Sequence, residues 1–209
     1  RQMCIRDRAY TWAMSEPQAA PQTEAPLAFD LTLFPEPVLR KKAEPVTRFD
    51  AELAAFVEAM FATMIHSGGV GLAAPQVGVK TRVLVVSESG RREDGFALIN
   101  PTILERSGPT TLYEEGCLSF PGIYAEVPRP DRCKVVAQDL SGNRFEKEYS
   151  GFVARIVQHE YDHLEGVLLV DRMSPADKLK NKVALQELVE RFQRLQAGPG
   201  PGGGLPRRR

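Results

Sequence analysis

The stretch QHEYDHLEG, residues 158–166, decides the fold and the chemistry of this chain. It places the pattern His-Glu-x-x-His inside a run, residues 152–164, whose spacing of apolar side chains predicts a helix ended by Gly166. Two histidines four residues apart lie on one face of a helix, so His159 and His163 can reach one metal ion. The chain has three histidines, and two of them occupy this pattern. The sequence therefore predicts a helix that binds a metal.

Glu160, next to the first of these histidines, is placed for acid–base chemistry. A metal lowers the pKa of water toward neutrality, and a neighbouring carboxylate can accept the proton. A catalytic metal normally has three protein ligands, and the spacing leaves the third one open. No histidine follows the motif, the nearest acids after it are Glu165 and Asp171, and Cys117 in EEGCLSFPG is favoured by its pattern. His66 is expected to be an exposed or capping side chain at a helix end.

Composition excludes several classes of protein. The 209 residues include 27 Lys+Arg and 27 Asp+Glu, which argues against a DNA-binding surface. No apolar run approaches the roughly 18 residues that cross a bilayer, so no membrane partner is expected. The three cysteines, Cys4, Cys117 and Cys133, are too few and odd in number for a disulfide framework and suit a reducing cytosol. Cys133 falls in an alternating stretch, where a half-buried structural thiol is expected.

Periodicity predicts the elements around the central helix. A first helix covers residues 50–65, capped by Thr47 or Asp50, and a last helix covers residues 175–195, capped by Ser174. Between the first two helices lie strand candidates at residues 82–87, 96–103, 110–114, 133–140 and 145–149, the last two joined as a hairpin. Strands gathered between helices predict an α+β fold. We expect small antiparallel or mixed sheets packed around the central helix that bears the motif, with a helix at the C-terminus.

The two ends differ in composition from the remainder. Residues 1–27 lack an initiator methionine at position 1, contain a plausible start at Met14, and are expected to be a non-native or disordered extension. Residues 28–196 are expected to form one domain. Residues 197–209 are rich in Gly, Pro and Arg and are expected to be disordered.

Three segments resemble the signature motifs of peptide deformylases: GVGLAAPQ at residues 69–76, EGCLS at 115–119 and QHEYDH at 158–163. Their order and separations also fit that family, and the match extends over most of residues 30–175. The resemblance implies a hydrolase that removes the N-formyl group from the N-terminal formyl-methionine of newly synthesised polypeptides and releases formate.

The resemblance also implies a role for each motif residue. Cys117 joins the two motif histidines as a metal ligand, and Glu160 serves as general base and then as acid. The Gln76 side-chain amide and the Leu118 backbone N–H donate to the developing oxyanion. The substrate-binding residues are expected to be Gly69, Val70, Gly71, Tyr113, Gly116, Phe152 and Ile156.

Two further acids are assigned supporting roles, and the ion and the partners follow from the resemblance. Glu115 is expected to pair with Arg129, and Asp162 is expected to orient a ligand histidine or its helix. One divalent ion is implied, Fe(II) first, with Zn, Ni or Co as alternatives. The partners are N-formyl-methionyl peptides and, transiently, the ribosome. We expect a monomer in a bacterial cytoplasm.

The sequence leaves two alternative functions to be tested. A zinc endopeptidase would also carry His-Glu-x-x-His, but the cysteine motif upstream argues against it. A protein that uses the metal only structurally would need neither a base such as Glu160 nor an oxyanion donor such as Gln76.

Overall fold

The computed structural model of this protein describes residues 29–197. The predictions for residues 1–27 and for the tail from residue 198 onward lie outside the described residues. Within these residues, five strands and five α-helices follow one another, together with two short 3-10 helices at Pro37–Arg40 and Ala74–Val77. In chain order the elements are α1 (Ala51–His66), β1 (Gly71–Ala73), β2 (Val83–Val86), β3 (Phe96–Gly116), β4 (Tyr124–Gln138), β5 (Arg144–Ser150), α2 (Gly151–Leu164), α3 (Leu169–Arg172), α4 (Pro175–Lys180) and α5 (Lys182–Ala197).

All five strands form one antiparallel sheet in the order β1-β2-β3-β4-β5. All four residues of β2 are buried. Since successive side chains of a strand point to opposite sides of the sheet, both faces of the sheet are covered at β2. Val83 and Val85 pack with α1, whereas Leu84 and Val86 pack with α2. The two helices therefore cover opposite faces, which confirms the predicted α+β class with the motif-bearing helix at its centre.

Helix α1 begins where the sequence predicts. The Asp50 side chain accepts hydrogen bonds from the backbone N–H groups of Glu52 and Leu53, both at 3.1 Å. These bonds satisfy two of the donors that the first turn of a helix leaves free. The face of α1 that meets the sheet consists of Leu53, Val57, Met60, Phe61 and Met64, all buried.

A third apolar cluster holds the loop after β3 in place. Phe120 and Ile123, shortly after Cys117, are buried against Leu168 and Met173, which follow α2. Leu39, from the first 3-10 helix, completes this packing. The cluster fixes the cysteine loop relative to the C-terminal end of α2.

Strand β3 corrects the prediction of two separate strands at residues 96–103 and 110–114. The structure has one continuous strand whose pairing with β4 shifts register at three places. Pro101 and Pro109 fall within two of these shifts. Proline has no N–H to donate to a ladder, and a bulge lets the chain pass it without ending the strand. Strand β4 likewise begins at Tyr124, before Pro128 and Pro130, and not at residue 133 as predicted. These two prolines pair with β3 without a shift, and β5 joins β4 only from Arg132 onward, so they lie where β4 has a single partner strand.

The predicted last helix at residues 175–195 is wrong in one respect: it is two helices. Ser174 caps the first as expected, accepting from the Asp177 N–H at 3.1 Å. Asn181 ends α4, and its side-chain amide donates to the Tyr124 carbonyl at 2.9 Å and to the Asp177 carbonyl at 3.0 Å. That side-chain contact competes with helix continuation. Of the apolar residues along these two helices, Leu188 is buried, whereas Leu179, Val183 and Leu195 are exposed.

No helix among residues 29–197 combines the length and apolar character needed to cross a membrane.

Gly166 holds the end of α2 against the first 3-10 helix, and we expect Gly166→Ala to destabilise the fold by more than its backbone angle alone explains. Its φ is +74°, and an added Cβ would stand 2.5 Å from the Arg40 carbonyl oxygen. Gly122→Ala is the matched control, because Gly122 has the same φ and open space around it. The control should cost about 1–2 kcal/mol of unfolding free energy. Denaturant unfolding compares the two variants, and equal losses would contradict the steric explanation.

Candidate active site

The motif residues of α2 meet the loop after β3 at one point. Cys117, His159 and His163 each offer a ligand atom, and these atoms lie within 4.8 Å of one another. The Cys117 Sγ is 3.3 Å from the His163 Nε2. The two imidazoles, one helical turn apart, have ring centroids 5.2 Å apart. The structure therefore brings the three predicted metal ligands together.

The chemistry of these donors fits a divalent transition metal. Thiolate and imidazole suit Fe, Zn, Co and Ni. The Nδ1 atom of His159 lies 3.0 Å from the Glu115 Oε2, which leaves the Nε2 atom for an ion. Burial lowers the pKa of His163 well below its usual range, which favours the neutral form that binds metals. Although burial alone would lower it, contacts with Cys117 and Glu115 raise the pKa of His159, so an ion there must displace a proton.

Glu115 is the buried carboxylate that organises this centre. It accepts two hydrogen bonds from Arg129, at 2.7 and 2.9 Å, and one from Arg155 at 2.7 Å. Burial alone would raise its pKa, but the hydrogen bonds from His159 and Arg129 lower the pKa of Glu115 to about 2. The predicted pairing of Glu115 with Arg129 is present, and the contact with His159 was not anticipated.

Asp162 acts on arginines and makes no hydrogen bond to a ligand histidine. It accepts from Arg129 at 2.9 Å and from Arg172 at 3.0 and 2.5 Å. Of the two alternatives that the sequence left for Asp162, a histidine or the helix, the contacts favour the helix and its surroundings.

Glu160 lies beside the ligand atoms in a buried position. Its Oε2 atom has no hydrogen-bond partner among the described residues. Burial raises the pKa of Glu160 to about 7, so the carboxyl group can both take up and release a proton near neutral pH. Gly71 permits this position, because a Cβ there would stand 2.4 Å from the Glu160 Oε1. The second glycine of GVGLAAPQ thus makes room for the Glu160 carboxylate.

The Gln76 side chain is oriented by its neighbours. Its Oε1 accepts from the Ala73 N–H at 2.8 Å, which turns the amide nitrogen toward the metal-binding loop. The Nε2 donates to the Ser119 hydroxyl at 3.4 Å and to the Cys117 Sγ at 3.6 Å. This orientation places a donor close to the ligand cluster, as an oxyanion donor requires.

A cavity of about 500 Å³ is lined in part by Cys117, His159 and Glu160. Tyr113 and Phe152 form an aromatic pair in its wall, with ring centroids 5.9 Å apart. Leu118 also lines the cavity. All the residues predicted to bind substrate line the cavity as well: Gly69, Val70, Gly71, Tyr113, Gly116, Phe152 and Ile156.

Two arginines that bind Glu115 and Asp162 escaped the sequence analysis. Arg155 precedes His159 by four residues, so helical spacing alone places both on one face of α2, and that signal could have identified it. Arg172 lies nine residues after the motif, and nothing in its spacing points to Asp162.

The remaining histidine and cysteine lie elsewhere. His66 is exposed at the end of α1, as expected. Cys133 is fully buried, where half-burial was predicted, and its burial raises the pKa of the thiol to about 11. Cys4 lies outside the described residues.

Comparison with known proteins gives consistent results. The family model described as polypeptide deformylase matches residues 28–179. The peptide deformylase of Thermotoga maritima is 46% identical over 166 residues, which cover 79% of this chain and 99% of that protein. The chloroplastic/mitochondrial peptide deformylase 1B of Arabidopsis thaliana is 42% identical over 182 residues, which cover 86% of this chain and 66% of that protein.

Solved structures agree with these relatives. The crystal structure of a plant peptide deformylase of type 1B has a TM-score of 0.79 at 42% identity, covering 86% of this chain and 98% of that one. Peptide deformylase from Plasmodium falciparum gives 0.77 at 39% identity, covering 78% of this chain and 97% of that one.

We expect Glu115→Gln to weaken both the fold and metal binding. The neutral amide leaves Arg155 buried without a balancing charge and leaves Arg129 with Asp162 as its charged partner, at a cost of about 3–5 kcal/mol in unfolding free energy. It also loosens His159, which should reduce metal affinity about 10–100-fold. Denaturant unfolding and chelator competition measure the two effects. Glu114→Gln is the control, because its side chain is 60% exposed and 3.8 Å from Lys180; an equal effect there would contradict the assignment.

Proposed function

Because the chain belongs to the polypeptide deformylase family and is a hydrolase that removes the N-formyl group from new polypeptides, we propose that Cys117, His159 and His163 hold its metal and that Glu160 moves the proton. One observation carries the proposal: a thiol and two imidazoles converge beside a buried carboxylate that has no partner among the described residues. That arrangement supplies the ligands and the base that amide hydrolysis needs.

Each step of the hydrolysis has a residue to support it. The bound ion would supply positive charge that lowers the pKa of a water molecule and polarises the formyl carbonyl. Glu160 accepts a proton from the attacking water as the oxygen bonds to the formyl carbon. It then donates that proton to the departing nitrogen as the C–N bond breaks. Formate and a free N-terminal amine result, and Glu160 returns to its starting state.

The tetrahedral intermediate needs donors for its negatively charged oxygen. The Gln76 amide nitrogen is held toward the site by Ala73 and Ser119, so it can donate without reorganising. We assign the Leu118 backbone N–H, on the loop that carries Cys117, as the second donor. Loss of one such donor costs roughly 10²–10³ in kcat.

The substrate chain has an extended binding surface. Among the described residues, β1 pairs with β2 alone and the end of β3 pairs with β4 alone. Their other edges border the cavity, and an extended peptide can add to such an edge through backbone hydrogen bonds. Tyr113, Phe152 and Ile156, with Val70, would then surround the methionine side chain.

We further propose that the resident ion is Fe(II) and that the enzyme works as a monomer in a bacterial cytoplasm, in transient contact with ribosomes. The Cys-His-His donor set suits Fe(II) and also Zn, Ni or Co, and a reducing compartment preserves both the ferrous ion and the thiolate. Formyl-methionyl chains emerge from ribosomes, which is why contact with them is expected.

We expect Glu160→Gln to lose about 10²–10⁴-fold in formate release from formyl-Met peptides while it keeps its metal, because the amide cannot accept the proton. Formate assay and metal analysis of the same sample provide the test. Glu165→Gln, at the end of the same helix and outside the cavity, is the control and should stay near wild-type activity. Unchanged activity in Glu160→Gln would refute the role, and cleavage of internal bonds in unformylated peptides would support the endopeptidase alternative.

We expect the iron-loaded enzyme, purified without oxygen, to lose activity in air, whereas a zinc-loaded sample keeps its activity. Ferrous iron and a thiolate beside it can be oxidised, and zinc has no redox chemistry. The comparison follows formate release over time after exposure to air, with a chelator-treated sample as the inactive control. Equal decay of both samples would place the oxidation at a residue other than the metal centre.

A further inference from the structure

Four buried or partly buried groups form a continuous chain of charges from the surface to a metal ligand. Arg172, at the end of α3, binds Asp162; Asp162 binds Arg129; and Arg129 binds Glu115. Glu115 in turn contacts the His159 imidazole. Asp162, Arg129 and Glu115 have side chains no more than 7% exposed, whereas that of Arg172 is 42% exposed.

The contacts along this chain are shared, so each one constrains the next. Arg172 holds both oxygens of Asp162, with Nη2 at 2.5 Å from Oδ1 and Nε at 3.0 Å from Oδ2. The same Oδ2 accepts from the Arg129 Nη1 at 2.9 Å. No hydrogen bond to the Oδ1 of Asp162 other than that from Arg172 is present among the described residues.

Removal of Arg172 would therefore change more than one surface contact. A buried carboxylate oxygen without a partner carries a full desolvation cost, so Asp162 would turn to place both oxygens on Arg129. The Nε and Nη2 of Arg129 are already used by Glu115. Any movement of Arg129 toward Asp162 loosens Glu115, and with it the hydrogen bond that fixes His159.

We propose that Arg172 is a positioning residue for the metal ligand His159, acting through Asp162, Arg129 and Glu115 from outside the cavity. The inference rests on the proposed ligand role of His159. It assigns a functional consequence to a side chain that neither contacts substrate nor reaches the ligand atoms.

A closely matched control is the ion pair between Arg40, in the first 3-10 helix, and Asp171, the neighbour of Arg172 on α3. Arg40 pairs with Asp171, and their side chains are 43% and 41% exposed. Asp171 also accepts the Leu168 N–H at 2.8 Å, but no hydrogen bond connects it to Asp162 or to the ligand residues. Arg40→Ala thus removes an arginine–aspartate pair next to α3 without breaking the chain of charges.

The experiment measures metal binding directly. The full-length protein is stripped of metal and titrated with Co²⁺ against a chelator, and the visible absorption of bound Co²⁺ reports the geometry of its ligands. We expect Arg172→Ala to weaken Co²⁺ binding about 3–10-fold, below the 10–100-fold typical for groups that touch a ligand, and to shift the absorption bands. Arg40→Ala should match wild type in both readouts.

A conservative variant separates positioning from folding. Arg172→Lys keeps the charge but cannot hold both oxygens of Asp162 as the planar guanidinium does. It should restore part of the affinity and move the bands back toward those of wild type. Should Arg172→Ala fail to fold, a Lys variant with wild-type affinity and spectrum would overturn the proposal.

Two other outcomes would also overturn it. Wild-type affinity and spectrum in a folded Arg172→Ala protein would show that the chain of charges does not reach His159. An equal effect in Arg40→Ala would show a general response of α3. His159→Ala separates this inference from the proposed function: if it binds Co²⁺ as wild type does, the ligand set is wrong, and if it loses the ion while Arg172→Ala does not, only the inference fails.

Discussion

The buried carboxylate of Glu115 is the group on which the rest of the centre depends. It is shared by Arg129, Arg155 and the His159 imidazole, which come from a strand and a helix far apart in sequence. Ions this deeply buried are tolerated only when their charges are balanced and their hydrogen-bonding groups are satisfied. The same contacts that balance the charges also join α2 to the sheet, so the stability of the fold and the geometry of the ligands rest on one set of bonds.

The sheet supplies the rigid support for that set. Because β2 is covered by α1 on one face and α2 on the other, the helix with both histidines cannot shift without disturbing a two-sided core. Gly71 at the adjacent strand has no side chain to push Glu160 away. Apolar packing therefore fixes the direction of α2, and one missing Cβ decides how closely the carboxylate approaches the sheet.

Local patterns in the sequence were sufficient to predict α1, α2 and the position of the His-Glu-x-x-His motif on α2, since helical spacing and capping depend on neighbours along the chain. Spacing alone left the third ligand open; the resemblance indicated Cys117, and the structure shows it beside the histidines. The break at Asn181 could not be predicted, because it depends on the Tyr124 carbonyl from a distant strand. Strand β3 was divided in the prediction because prolines that normally end strands are accommodated here by shifts in pairing. Arg172 was missed for a similar reason, since its partner is defined only by tertiary structure.

The shifts in pairing along β3 have a consequence for the behaviour of the protein at high concentration. Beyond Ile99 the strand has β4 as its only partner in the described part of the chain, so a long row of backbone groups stays open. Open edges invite other molecules to add and aggregate. The irregular pairing and prolines between Ile99 and Thr110 make that portion a poor template, whereas the run from Thr110 to Gly116 pairs without a shift. The regularly paired part of the open edge is thus confined to the few residues next to the cavity, which is the segment where we propose that an extended peptide substrate adds.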